Sequence, residues 1–234
     1  TLTSYGENLQ PYILTVLNSD AKLQQAILEF NGLTHGSVKI GTFSSACNNF
    51  IPDIVTTFSK LHPNIEIKIY QGTYDDVYNW IKTGVVDLGF LSESSCKDLP
   101  ITALYEDDLL CIVPKHFKTK HKNYIELTEL DGQNFVSQSE STDADIQKLF
   151  QKYPLTIHSS CHVVDDLSTI AMVAAGLGVC IMPRLVMQNI PYEVDMYPLK
   201  PAEQRIIGIC SLNPDLMAPA VTVSYTHLRA HETV

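Results

Sequence analysis

Apolar residues within the first thirty positions recur at alternating steps of three and four residues. The series comprises Leu9, Ile13, Val16, Leu23, Ile27 and Phe30, with Asp20 at its one polar position. This spacing predicts a helix over residues 7–30, whose narrow apolar stripe is typical of a coiled-coil seam. Two interpretations are open: the stripe packs on the equivalent helix of a second copy, or it covers the chain's own core. The glycines that follow at residues 32 and 36 break the chain, which favours the partner helix.

The stretch 37–63 changes from a two-residue period to a helical one. Val38 and Ile40 alternate with other residues as in a strand, and the helical spacing is carried by Cys47, Phe50, Ile51, Ile54, Val55, Phe58 and Leu61. Pro52 suits the first turn of the main helix because it lacks an N–H group. Any helical turn over residues 46–49 is therefore predicted to be a separate, kinked piece.

A serine pair, Ser44-Ser45, lies at the turn between that strand and that helix. The start of a helix leaves backbone N–H groups without intrahelical partners and carries a partial positive charge. The serines can therefore either cap the helix or present donors to a bound anion. Both roles remain open at this point.

Two further strands are predicted over residues 65–70 and 86–91, separated by a helix that Gly84 ends. This βαβαβ order implies parallel pairing through right-handed crossovers. Open sheets of this kind bind ligands beyond the carboxyl ends of their strands. The three strand ends are therefore predicted to share one rim, made of residues 42–46, 71–73 and 91–93.

The second half of the chain repeats this plan. Its predicted strands cover residues 134–137, 156–164 and 179–182. One predicted helix contains Ile146 and Leu149, and a second predicted helix ends at Ala175. Short strands over residues 101–105, 109–113 and 206–210 are predicted to connect the halves. The predicted fold class is α/β, with two Rossmann-like lobes, a hinge of crossing strands and a cleft between the lobes.

Composition and charge argue against several classes of function. The chain has 234 residues and a formal net charge of -10, which argues against nucleic-acid binding by this segment, because such binding depends on lysines and arginines that face phosphates. No apolar run is long enough to cross a bilayer, and residues 1–30 lack the features of an export signal. The 6 cysteines are widely spaced without a C-x-x-C pair, so we expect free thiols in a reducing compartment.

Sequence motifs give no support to catalysis or to a metal. A G-x-S-x-G elbow, a Walker loop, a G-x-G-x-x-G turn and an H-E-x-x-H helix are all absent from the sequence. His158 and His162 flank Cys161 at a spacing that suits a metal on a helix, but their context reads as a strand. We expect no enzyme activity, no metal and no cofactor. Cys47 is interpreted as a packed thiol rather than an oxidant sensor.

In order along the chain, several short patterns resemble the LysR-type transcriptional regulators. Leu2-Thr3 with the residues that follow is similar to the end of that family's DNA-binding head, and the run from Gly36 to Gly41 is similar to the opening of its effector-binding domain. The other matching patterns are the Phe58-x-x-x-x-Pro63-x-Ile65-x-Ile67 run, the Gly84-x-x-Asp87-Leu88-Gly89-Phe90 run and the segment from Val173 to Pro183.

The resemblance implies a two-lobed effector-binding domain of the type II periplasmic-binding fold in a cytoplasmic bacterial regulator that forms dimers or tetramers. It implies a winged helix-turn-helix head upstream of Thr1, so that DNA is contacted only through that head. Family effector sites lie between the lobes. Carried over by position, they comprise Ser44, Ser45 and Ala46 on one side, and Ser137, Gln138, Ser139 and Thr142 on the other, with Thr73 and His162 at the rim.

The same resemblance divides the chain. Residues 1–35 are expected to contain the end of the DNA-binding head and the linker helix that dimerises. Lobe I is expected over residues 36–113 and 191–222, and lobe II over residues 114–190. Residues 223–234 lack the apolar period of the family's final helix and are interpreted as a non-native tail.

The number and positions of the arginines restrict the charge of the expected effector. The chain contains only Arg184, Arg205 and Arg229, and none falls in the expected cleft. This favours a small monocarboxylate or a polar neutral molecule over a multiply charged one. Two alternatives to a regulator remain: a solute receptor of the periplasmic type, and an enzyme on the same scaffold, which we rank last.

Overall fold

The computed structural model describes residues 3–30, 36–139 and 144–212. The helices are α1 (Ser4–Phe30), α2 (Ser44–Asn49), α3 (Ile51–Leu61), α4 (Tyr74–Lys82), α5 (Ala144–Lys152) and α6 (Asp166–Ala174). The strands are β1 (Gly36–Thr42), β2 (Ile65–Gln71), β3 (Leu88–Ser92), β4 (Ile101–Pro114), β5 (Ile125–Glu126), β6 (Asn134–Gln138), β7 (His158–Val163), β8 (Cys180–Pro183), β9 (Val194–Lys200) and β10 (Gln204–Cys210). Single 3₁₀ turns cover Leu127–Leu130 and Arg184–Met187. No helix within these ranges is both long enough and apolar enough to span a membrane.

The chain packs into two compact units. Unit 1 comprises residues 1–105 and 207–234, and unit 2 comprises residues 106–206. The chain therefore passes from one unit to the other within β4 and returns within β10. Unit 2 is longer than the expected lobe over residues 114–190, because β9 pairs with β4 and β5 and so belongs to unit 2.

In unit 1, β1 lies between β2 and β3 and is parallel to both, which confirms the predicted βαβαβ arrangement. β10 pairs antiparallel with β3. The core between the strands and their helices contains Val38, Ile40, Phe58, Ile81, Leu88 and Phe90. Helix α4 approaches the sheet closely at Gly89, where an added Cβ would lie 2.5 Å from Ile81 Cδ1. The predicted break before Pro52 is also confirmed, because α2 ends at Asn49 and α3 begins at Ile51.

Helix α1 confirms the predicted helix, and its apolar stripe is not part of the buried core. Five stripe residues are between 46% and 68% exposed, namely Leu9, Ile13, Val16, Leu23 and Ile27. Phe30 closes the helix, and its side chain lies outside what the structure describes.

In unit 2, β4 pairs antiparallel with both β8 and β9. The two strands expected over residues 101–105 and 109–113 are one continuous strand, β4. β6 and β7 form a parallel pair, and Phe135 also bridges to Val179. The core between these strands and helices α5 and α6 contains Cys111, Ile112, Phe135, Leu149, Ile170 and Val173.

Candidate functional site

The turn after β1 in unit 1 begins helix α2 without a side-chain cap. Phe43 is the N-cap residue, and its side chain makes no capping hydrogen bond. The Cys47 N–H donates the first intrahelical bond to the Phe43 carbonyl at 2.8 Å. The N-cap position is therefore occupied by Phe43 and not by Ser44 or Ser45. By helix geometry, the N–H groups of residues 44–46 point out of the helix end.

Residues 44–46 of this turn differ in solvent exposure. Ser44 is exposed, whereas Ser45 and Ala46 are buried. The Ser44 hydroxyl accepts a hydrogen bond from Gln71 Nε2 at 3.2 Å. Thr42 and Gln71 are partners in the β1–β2 register, so the ends of these strands share one rim, as predicted. Ser44 and Gln71 thus offer polar groups at that rim.

Thr73 begins helix α4 and caps it. Its hydroxyl accepts from the Asp76 N–H at 3.1 Å and donates to Asp76 Oδ2 at 2.8 Å. The Thr73 N–H donates to the same carboxylate oxygen at 2.8 Å, which completes a capping box. The structure therefore gives the Thr73 hydroxyl a clear structural role.

A second serine cluster lies at the end of β3. The sequence predicted that residues 91–93 lie at the rim, but it did not single out Ser92 or Ser95. The Ser95 hydroxyl donates to the Ser92 carbonyl at 2.9 Å and accepts from the Ser92 N–H at 3.2 Å. Both side chains are buried, and Ser92 is the last residue of a parallel strand. The rule that ligands bind at carboxyl ends of strands could have identified this position.

In unit 2, the parallel pairing of β6 and β7 brings two predicted site residues together. Ser137 lies opposite His162 in the register, and the Ser139 N–H donates to the Val163 carbonyl at 2.9 Å. Ser137 and Ser139 are half-buried, and His162 is exposed. Thr142 lies outside the described residues.

Gln138 bonds to helix α6. Its Nε2 donates to Asp166 Oδ1 at 2.8 Å, and both side chains are half-buried. Burial raises the pKa of the Asp166 carboxyl above its usual value, while the Gln138 hydrogen bond and the Arg205 charge act in the opposite direction. The sequence indicated Asp166 only as a possible helix cap, whereas the cap of α6 is Asp165.

The Arg205 charge that acts on Asp166 belongs to a buried ion pair. Arg205 Nη2 lies 2.7 Å from Asp107 Oδ2, and Asp107 Oδ1 accepts from the Leu185 N–H at 3.0 Å. Burial raises the pKa of Asp107, opposed by the Arg205 charge and by these hydrogen bonds. No sequence signal joins residues so far apart in the chain, although an arginine in an apolar strand does indicate a buried partner.

Other chemistry has little support. Within the described ranges, no three His, Cys, Asp or Glu side chains are grouped as metal ligands. Burial raises the pKa of the Cys47 thiol, so its thiolate fraction is reduced rather than increased.

A family model described as LysR substrate binding domain matches residues 31–232. The match includes residues 223–232, which we interpreted as part of a non-native tail, and that interpretation remains a prediction. Among curated proteins, the uncharacterized HTH-type transcriptional regulator YvbU of Bacillus subtilis is 25% identical over 81% of this chain and 65% of its own length. The transcriptional dual regulator GltC of the same organism is 23% identical, over 96% of this chain and 77% of its own length. The chain thus spans about two thirds to three quarters of these relatives.

Solved structures show the same fold. The Synechocystis PCC6803 CcmR regulatory domain, determined with 2-PG, matches with a TM-score of 0.76 and 16% identity, covering 85% of this chain and 98% of that one. The effector-binding domain of QuiR, determined with shikimate, matches with a TM-score of 0.75 and 21% identity, covering 85% and 97%. The predicted fold class is thereby confirmed.

Proposed function

Because the chain belongs to the LysR substrate-binding domain family, we propose that it is the effector-sensing and oligomerisation domain of a bacterial LysR-type transcriptional regulator. The whole regulator would act in the cytoplasm and carry its DNA-binding head upstream of Thr1. In support, YvbU is named an HTH-type regulator, and this chain spans 65% of its length. Effector binding would change how the subunits present their heads to DNA.

The effector would be bound by the turn Ser44–Ala46 of unit 1 and by residues 137–139 and 142 of unit 2, with Thr73 and His162 bordering the site. The observation that carries this assignment is the position of Ser44. It lies at the carboxyl end of β1, the middle of three parallel strands, beside outward-pointing N–H groups of a helix start. Parallel α/β sheets bind ligands at such ends.

The effector would be a small monocarboxylate or a polar neutral molecule. Both arginines within the described residues are already bound to aspartates: Arg205 to Asp107, and Arg184 to Asp108 at 3.0 Å. Neither guanidinium is therefore available to neutralise a second anionic group. Hydroxyl and backbone N–H donors suit one carboxylate or a set of hydroxyl groups.

Helix α1 would provide the oligomerisation surface as part of a linker segment over residues 1–35. Its apolar side chains are exposed in one chain, as expected of a stripe that pairs with a second copy. In this proposal, unit 1 has the role expected of lobe I, and unit 2 has the role expected of lobe II.

The test is thermal melting of the purified chain against a panel of small carboxylates, hydroxy acids and polyols. Ser44→Trp places a bulky group at an exposed position of the proposed site, and Ser59→Trp makes the same change at an exposed position near the end of α3. We expect at least one compound to stabilise the wild type and Ser59→Trp but not Ser44→Trp. Equal stabilisation of all three proteins would place the site elsewhere, and turnover of the compound would contradict a purely sensing role.

A further inference from the structure

The end of β6 carries an amide whose orientation is fixed by a carboxylate. Gln138 Nε2 lies 2.8 Å from Asp166 Oδ1. An ionised carboxylate only accepts hydrogen bonds, so the amide must turn its N–H group toward Asp166 and its carbonyl Oε1 away from it. Within the described residues, the structure records no donor to that Oε1. Gln138 therefore presents an acceptor.

The charges around this amide are negative on balance. The groups that act on Asp166 are Gln138, Arg205 and the neighbouring carboxylate of Asp165. The Arg205 guanidinium is bonded to Asp107, so its positive charge is already offset by another carboxylate. Asp166 thus lacks a cation of its own among these groups. An anionic group placed at the end of β6 would be repelled, and a hydrogen-bond donor would be attracted.

We propose that Asp166 determines effector specificity by positioning Gln138, an inference that rests on the proposed function. The effector then presents a hydroxyl, amide or ammonium donor to Gln138 Oε1, and a carboxylate or phosphate is disfavoured at that point. This adds a requirement to the proposed class: the effector carries a donor in addition to its one carboxylate, or is a neutral molecule that carries several. Asp166 acts through Gln138 and need not touch the effector.

The chain offers a matched pair of variants. Asp166→Asn removes the charge that fixes the amide, and asparagine offers both an acceptor and a donor, so Gln138 can turn either edge outward. Asp165→Asn removes a charge of the same sign from the adjacent position. Asparagine caps helices as well as aspartate does, so the Asp165 bond to the Ser168 N–H is preserved in kind.

A first measurement needs no effector. In ¹⁵N-labelled protein, the side-chain amide signals of Gln138 are identified by their absence in Gln138→Leu. We expect them to shift in Asp166→Asn and to stay in place in Asp165→Asn. Signals unchanged by Asp166→Asn would show that the carboxylate does not orient the amide, and would overturn the inference.

The second measurement compares monocarboxylate probes that carry a hydroxyl donor with probes that lack it or carry a second carboxylate instead. The series are lactate with propionate and malonate, and 4-hydroxybenzoate with benzoate and terephthalate. In at least one series we expect the hydroxylated probe to bind the wild type about tenfold more tightly than its partners, by calorimetry. Asp166→Asn should reduce that preference to about twofold, and Asp165→Asn should keep it.

The outcomes separate the two proposals. The specificity inference is wrong if, in the series that binds, the probe without a hydroxyl or the dicarboxylate binds as tightly as the hydroxylated probe. It is also wrong if neither series binds. The proposed function is judged instead by the comparison of Ser44→Trp with Ser59→Trp. A probe that lacks a donor but is blocked by Ser44→Trp would therefore leave the sensing site intact and remove only the role given to Asp166.

Discussion

Arg205 and Asp107 form a buried ion pair in which two guanidinium N–H groups share one carboxylate oxygen. The distances to Asp107 Oδ2 are 3.0 Å from Nε and 2.7 Å from Nη2, and the two side chains are 4% and 0% exposed. The other carboxylate oxygen accepts from the Leu185 N–H. The pair thus fixes β10, β4 and the 3₁₀ turn after β8 to one another within unit 2.

Removing one partner of this pair should be costly. Arg205→Met leaves the Asp107 carboxylate buried without its cation, so we expect a loss of about 3–5 kcal/mol in the free energy of unfolding. Adding Asp107→Asn should restore part of that stability, because the remaining charge is removed while the Leu185 N–H keeps an acceptor. Urea unfolding followed by circular dichroism measures both variants.

Lys115 and Asp195 provide the control for that prediction. Their Nζ–Oδ1 distance is 2.8 Å, close to that of the buried pair, but the side chains are 46% and 30% exposed. Lys115→Met should cost much less stability than Arg205→Met, since solvent screens an exposed pair. Equal losses for Lys115→Met and Arg205→Met would contradict the role assigned to burial.

The Asp98 carboxylate predicts a specific acid dependence in unit 1. The Tyr78 hydroxyl, at 2.5 Å, and then Lys82 lower the pKa of Asp98 from 3.8 to about 2. A lowered pKa in the folded state means that the contribution of Asp98 to stability is full above pH 4 and is lost as the pH falls through about 2. The advantage of the wild type over Asp98→Asn should shrink over that range.

Carboxyl-carbon NMR titration gives the direct measurement of this shift. The Asp98 midpoint should lie near 2 in the wild type and move up toward 3.8 in Tyr78→Phe, which removes the largest cause of the shift. A wild-type midpoint near 3.8 would show that the exposed cluster does not hold its geometry in solution.

Local periodicity predicted most elements of this fold, because each strand and helix buries one face. Helix α1, the parallel strands of unit 1 and the break before α3 all follow from spacing and from Pro52. The boundaries of unit 2 did not follow, since they depend on the pairing of β9 with β4, which is about eighty residues away in sequence.

The sequence could predict that the candidate residues lie at strand ends, but not what their side chains contact. The strand ends located Ser44 and Ser137, and the β6–β7 register brings Ser137 opposite His162. The role of the serine pair was open, because whether Phe43 or a serine caps α2 depends on how Phe43 packs. Its ring lies 4.9 Å from that of Tyr74, and the helix begins one residue after it.

Thr73 allows a helix cap to be separated from an effector contact. Thr73→Ala should lower the free energy of unfolding by about 1 kcal/mol, because the capping box is lost, whereas Thr73→Ser should retain it. Since the hydroxyl already donates to and accepts from Asp76, we expect both variants to bind an effector as the wild type does. Weaker binding by Thr73→Ala alone would show that this hydroxyl also contacts the effector.

The exposed stripe of α1 makes a prediction about assembly. Ile13 and Val16 are 54% and 68% exposed, and each apolar side chain buried in a helix pair contributes roughly 1.5–3 kcal/mol. Ile13→Glu and Val16→Glu should therefore raise the dissociation constant for self-association at least about tenfold, by sedimentation equilibrium. Gln10→Glu adds the same charge at an exposed position outside the stripe and should leave association unchanged, because the two residues have similar helix propensity. If all three variants associate like the wild type, the stripe is not the contact between copies, and another surface must hold them together.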